Sequence, residues 1–161
     1  MEETIVYKLM IKEPKFAKRY EHLFERFARK WGGSEQDRRD RVKVFAKNYE
    51  LYMYAFFLGL RKHKSVKLES HEKSKSNVMA IRDWKPETLR DYLVACTLAE
   101  DGTPFREYDF MTEAELDKKS SELRDIVEAY TNGGLAILEE EFKEDKAYFD
   151  TPFAFTEFVF G

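Results

Sequence analysis

Residues 48–60 read NYELYMYAFFLGL, and between Leu51 and Leu58 every residue is apolar or aromatic. A helix without a polar face is stable only when other elements surround it. The apolar run from Leu51 to Leu60 holds ten residues, and a bilayer span needs about 20. The stretch is therefore read as the central helix of a helical core, not as a membrane anchor.

Upstream, Val42, Phe45, Ala46, Tyr49, Met53, Phe56, Phe57 and Leu60 keep a spacing of three or four. Ser34 is placed to cap this element, with Asp37 near its N3 position. Two readings stay open: one helix unbroken to Leu58, or a restart at Asn48. Gly59 is expected just past the helix end, where Arg61, Lys62 and Lys64 oppose the helix dipole. Earlier still, Phe16, Tyr20, Leu23, Phe24, Phe27 and Trp31 fall at intervals of 4, 3, 1, 3 and 4. That is one helical face, opened after Pro14 and ended by Gly32-Gly33. The segment Thr4 to Ile11 is short and β-rich, so residues 1–12 are expected to form a strand or an extended arm.

Downstream, Ser65 to Asn77 is polar and basic with only Val66 and Leu68 to anchor it, and residues 65–77 read as a mobile basic loop. Pro86 opens a helix with Leu89, Leu93 and Cys96 facing inward, ended by Asp101-Gly102. Thr112 with Glu115 forms a capping box for a long helix carrying Leu116, Leu123, Ile126, Val127 and Tyr130. Asn132-Gly133-Gly134 is expected to interrupt it, as a bend or a place of close helix approach, before Leu135, Leu138 and Phe142 resume the stripe. Tyr148, Phe149, Phe153, Phe155, Phe158 and Phe160 crowd the tail, residues 148–161. The fold class is all-α: one domain over residues 1–161, a bundle of five or six helices, with a short β pairing of the termini left open.

Charge is unevenly distributed. Residues 1–75 hold 19 Lys/Arg against 11 Asp/Glu, a net of +8, while residues 76–161 hold 9 against 20, a net of −11. Such a field steers a polyanion to one face or joins copies head to tail. Arg38, Arg39 and Arg41 form one candidate phosphate-binding group, and Lys62, Lys64 and Lys67 a second. A continuous helix between them would hold them ~30 Å apart. The alternative is an ordinary solvated face neutralised by the acidic half.

Other chemistry is weakly represented. His63 and His71 sit among lysines at spacings that match no metal site, and His22 lies on a polar helix face. Cys96 falls at an apolar position and reads as a core residue, and Glu139-Glu140-Glu141 as a solvated face. One cysteine, and Glu2 with Glu3 where a targeting segment would be basic, suit a reducing cytoplasm. No cofactor, metal or membrane contact is implied. The tail aromatics Phe153, Phe155, Phe158 and Phe160 either dock on their own domain or bind a partner.

The segments KRYEHLFERFARKWGGSEQDRRDR, NYELYMYAFFLGL and EAYTNGGLAIL resemble a group of small bacterial proteins. Some relatives are encoded beside Dnd DNA-phosphorothioation systems. Others, from Bacteroidetes, sometimes carry a glycoside hydrolase family fifteen label, although that family's catalytic barrels need several hundred residues. The resemblance implies genomic company with DNA modification and phage defence. The expectation is a non-enzymatic accessory protein binding nucleic acid or a DNA-bound partner. The alternatives are a homo-oligomeric interaction module and a small enzyme acting on a glycan or small molecule.

Overall fold

Two helices cross at the centre of the molecule, and their glycines set how closely. The computed structural model describes residues 4–28, 44–74, 78–151 and 153–160, with the side chains of 153 and 158–160 left aside. Seven α-helices occur among the described residues: α1 (Ile5–Met10), α2 (Glu21–Phe27), α3 (Asn48–Arg61), α4 (Glu87–Asp101), α5 (Phe105–Tyr108), α6 (Glu113–Glu144) and α7 (Phe153–Phe160). The fold is all-α, with more helices than the five or six expected. The described residues hold no β-strand, only the isolated bridges Ala17–Lys73 and Ala28–Phe45. Among the described residues no β pairing joins the two terminal segments, which form α1 and α7.

Helix α3 is the buried centre, with Leu51, Tyr52, Met53, Ala55, Phe56 and Leu58 shielded from water. It starts at Asn48, after residues 44–47 that lie outside any helix, so no single helix runs unbroken into it, and the expected Ser34 and Asp37 cap lies outside the described residues. Gly59 lies inside α3, not past its end; the left-handed residue there is His63, with φ 55°. A Cβ on Gly59 would lie 2.1 Å from the Tyr130 carbonyl oxygen. Helix α6 likewise runs unbroken for 32 residues through Asn132-Gly133-Gly134. A Cβ on Gly134 would lie 1.8 Å from the Ala55 oxygen, and one on Gly133 would lie 1.9 Å from the Lys64 oxygen. Each internal glycine costs about 1 kcal/mol of helix propensity. Here it admits a neighbouring backbone, and the helix continues.

The amino-terminal segment is a helix, not the extended arm or strand expected for residues 1–12. The Thr4 hydroxyl accepts from the Tyr7 N–H at 3.1 Å and caps it. Ile5 and Leu9, four apart, are buried, and the buried Lys8 ammonium reaches Glu113 and Asp117 of α6 at 2.6 Å each. Tertiary contacts of this kind override β propensity.

Helix α2 is shorter than its apolar spacing predicts. Phe16 is buried and stacks on Phe24 at 4.1 Å, but residues 12–17 lie outside any helix. A 3₁₀ turn at Lys18–Tyr20 leads into α2. On α4 the buried residues are Leu93, Val94, Thr97 and Leu98, so Leu89 and Tyr92 face outward and Cys96 is half-buried. Gly102 closes α4 at φ 78°, and Thr112 caps α6 by accepting from the Glu115 N–H at 3.2 Å.

The tail closes one end of the core. Phe27 meets Phe142, Phe149 and Phe155 at 5.3, 5.7 and 5.1 Å between ring centres. Phe155 also touches Phe45 and Tyr54, and the Tyr54 hydroxyl donates to its carbonyl at 2.5 Å.

Candidate nucleic-acid interface

Two basic segments far apart in sequence meet over the middle of α6. Helical geometry puts residues four apart on one stripe, and three neighbouring stripes each hold a different part of the chain. The first carries Arg124, Glu128 and Asn132. The Glu128 carboxylate accepts the Lys15 N–H at 2.7 Å, and the Asn132 Oδ1 accepts the Ala17 N–H at 3.2 Å. These two backbone donors are taken by side chains of α6, which is why residues 12–17 stay out of the following helix. The second stripe holds the chain after α3: the Ala129 carbonyl accepts the Val66 N–H at 2.9 Å, and Gly133 lies against Lys64. The third, Tyr130 and Gly134, meets α3.

The stretch expected as a mobile loop is tied down over residues 65–74. Leu68 and Ser74 are buried, the Ser74 N–H donates to the Phe16 carbonyl at 2.8 Å, and Lys73 bridges Ala17. The Lys73 ammonium lies 3.5 Å from Glu128, and Arg124 lies 3.9 Å from it. Glu128 is only 2% exposed. Burial raises its pKa above the ordinary carboxylate value, against the pull of the Lys15 N–H, Lys73 and Arg124, and Asp125 adds to the rise.

Lys15 and Lys64 are thereby anchored at α6 positions five residues apart, about 7.5 Å of helix rise. Lys18, Arg19, Lys62 and Lys67 are exposed around them. Lys67 has one weak partner, Glu69 at 4.0 Å, and its side chain is 85% exposed. Among the described residues Lys15, Lys18, Arg19 and Lys64 form no ion pair. The Arg19 guanidinium lies over the Tyr20 ring at 4.9 Å. Burial raises the Tyr20 pKa; Glu139 and Glu72 raise it further and Arg19 opposes them, so carboxylates border the cations on that flank.

Of the cations singled out in the sequence, Lys62, Lys64 and Lys67 belong to this surface, while Arg38, Arg39 and Arg41 lie outside the described residues. The residues that flank those arginines are close together: the Phe45 N–H donates to the Phe27 carbonyl at 3.0 Å. Lys15, Lys18 and Arg19 were assigned only to a solvated helix face. Glu128 is not marked by the sequence pattern and Asn132 is marked only as part of a bend or close approach, although Thr131 and Ser120, polar residues on the apolar spacing of α6, signal that this helix buries polar groups. The tail group divides. Phe155, for which docking on its own domain and a partner contact are both open from the sequence, is 4% exposed within its own core, and the side chains of Phe153, Phe158 and Phe160 lie outside the described set.

Nucleophile and metal chemistry gain no support here. Burial pushes the Cys96 thiol above its ordinary value, against a Tyr92 hydrogen bond and with Glu100 adding to the rise, the opposite of an activated thiolate. Among the described residues no group of His, Cys, Asp and Glu is placed to hold a metal ion, and no helix is long and apolar enough to cross a membrane.

Residues 34–155, well over half of the chain, match the family model described as DNA sulphur modification system-associated protein 4. The chain belongs to this family. Membership in the DNA sulphur modification system-associated family supports the relation to Dnd systems and lends nothing to the glycoside hydrolase label. No curated protein and no solved structure gives a significant match. The matched span of this family member includes α3, the loop with Lys62, Lys64 and Lys67, and all of α6.

Proposed function

We propose that this chain is a non-enzymatic accessory protein of a DNA sulphur modification system, and that it holds duplex DNA by its phosphates. The proposed contact surface lies where residues 15–19 and 62–67 meet over α6. The observation that carries the reading is that convergence: α6 anchors both segments within a few residues of Glu128, leaving Lys15, Lys18, Arg19 and Lys64 without ion pairs among the described residues. Phosphate contacts of this kind position a protein on DNA without reading sequence. Arg38, Arg39 and Arg41 are proposed as additional contacts.

Anisotropy with a labelled duplex across a salt series tests the reading. Each phosphate neutralised adds about −0.9 to the slope of log affinity against log salt. The variant Lys18→Ala/Arg19→Ala/Lys67→Ala is expected to weaken binding and flatten that slope by two to three contacts, about 2 to 3 in slope. The variant Arg38→Ala/Arg39→Ala tests the second group in the same assay. Absence of binding at about 50 mM salt, the low end of the usual range, would defeat the proposal. So would variants with unchanged slopes.

A further inference from the structure

The amino-terminal end of α6 carries a different surface. Helix α5 is held rigidly there by Tyr108, whose ring is buried and whose hydroxyl donates to Asp101 at 3.4 Å. Asp101 in turn accepts the Thr103 hydroxyl at 2.5 Å and the Lys119 ammonium at 3.3 Å. Phe105 packs edge-on against Tyr108 at 5.9 Å. With α5 so fixed, Phe105 and Phe110 stand 67% and 84% exposed, the most exposed large apolar side chains among the described residues. Exposed Glu107, Asp109 and Glu115 surround them in sequence, with Arg106 the one cation of the stretch, while the neighbouring Glu113 is paired with Lys8.

We propose that this acidic aromatic corner docks onto the basic surface over α6 of a second copy, joining chains head to tail. Corner-to-corner pairing would set carboxylates against carboxylates, and like charges across an interface oppose association. The basic surface supplies the opposite sign. Apolar area lies near it in sequence: Ile11 is exposed four residues before Lys15, and Met79 is exposed in the segment that pairs with Lys12, whose carbonyl accepts the Ile81 N–H at 3.0 Å. Within one chain the two surfaces are kept apart by α6, because Glu113 and Glu128 are fifteen residues, about 22 Å, apart along it. An interface between unlike surfaces leaves one of each free at the ends, so it extends or closes into a ring. Two phenylalanines, each burying roughly 150–250 Å², cover part of the about 800 Å² per partner of a stable interface. Weak, salt-sensitive association is the expected form.

The docking does not depend on DNA and is measured on the chain alone, by sedimentation velocity over a wide concentration range. At low salt the wild-type sedimentation coefficient is expected to rise with concentration, and to return to the monomer value near 1 M salt, where screening acts within about 3 Å. Phe105→Ser/Phe110→Ser removes the corner; Lys18→Glu/Arg19→Glu/Lys67→Glu removes the basic surface. All are exposed positions, and circular dichroism verifies that each variant folds. Each variant alone is expected to stay monomeric. An equal mixture of the two is expected to form a dimer and nothing larger, since one intact surface of each kind remains. Three results would overturn the proposal: a wild-type monomer at every concentration, unchanged association of the phenylalanine variant, or a mixture that stays monomeric.

Discussion

Replacing Gly134 by alanine tests the crossing on which the core is built. The new Cβ would sit 1.8 Å from the Ala55 oxygen, 2.6 Å from its carbonyl carbon and 2.9 Å from its Cα, where ordinary contact begins at 3.4 Å. All three atoms are backbone, so no side chain can rotate away. Helices α3 and α6 must separate by on the order of 1.5 Å, and radial gaps of even 0.5–1 Å forfeit a quarter to a half of each contact's attraction. The residues that lose contact include Ala55, Phe56, Leu135 and Leu138, all buried. Overpacking costs about 1–3 kcal/mol, and a backbone clash belongs at the upper end. Alanine returns about 1 kcal/mol of helix propensity, leaving a net loss of about 2 kcal/mol. For a chain of this size that lowers Tm by about 4–8 °C. Urea and thermal unfolding followed by far-ultraviolet circular dichroism measure it. Gly102→Ala serves as a contrast: nothing lies within 4 Å of its Cβ position, so only the left-handed φ of 78° opposes it, at about 1–2 kcal/mol. A Gly134→Ala protein more stable than wild type, as helix propensity alone dictates, would refute the close crossing.

The buried carboxylate and the tail give two more tests. Because burial raises the Glu128 pKa above 4.5, the folded protein keeps a proton that the unfolded chain releases between those two values. The stabilisation is fully present below the ordinary value and is lost as pH rises through the raised one. The stability of wild type minus that of Glu128→Gln, from urea unfolding at several pH values, should therefore fall with rising pH; a difference that rises would contradict the sign. Phe155→Ala empties a site lined by Phe27, Phe45, Tyr54 and Phe149, and should cost about 3–5 kcal/mol. Ending the chain after Asp150 should in addition increase binding of an apolar dye; unchanged stability and dye binding would show that the tail does not close the core.

Local signals were read correctly where the chain's own pattern decides the outcome. NYELYMYAFFLGL has no polar side, so its burial followed from composition, and Thr112 and Gly102 mark their helix ends by local chemistry alone. The errors share a cause. Thr4 to Ile11 is β-rich, yet Ile5 and Leu9 are buried and Lys8 finds its partners on α6, a hundred residues away, in a helical segment. Gly59 weakens a helix in isolation, so it looks like punctuation, and for Gly133-Gly134 the sequence leaves a bend and a close helix approach open, of which the close approach is the one found. Their use depends on which backbone approaches, and no window of sequence contains that information. The candidate interface shows the same division. Lys62, Lys64 and Lys67 were visible as a basic run, but Lys15, Lys18 and Arg19 join them only because Glu128 and Asn132 hold the chain at residues 15–17.

The sequence alone determined a helical class, a central apolar helix, a long capped helix and a separation of charge between the two halves. These follow from side-chain periodicity, capping and net charge, which act within a few residues or over the whole chain. Tertiary structure decided which glycines lie inside helices, which amide groups are taken by side chains, and which cations share a surface. Those outcomes depend on contacts between distant segments, whose free energies exceed the local preferences of about 1 kcal/mol per residue that a sequence displays.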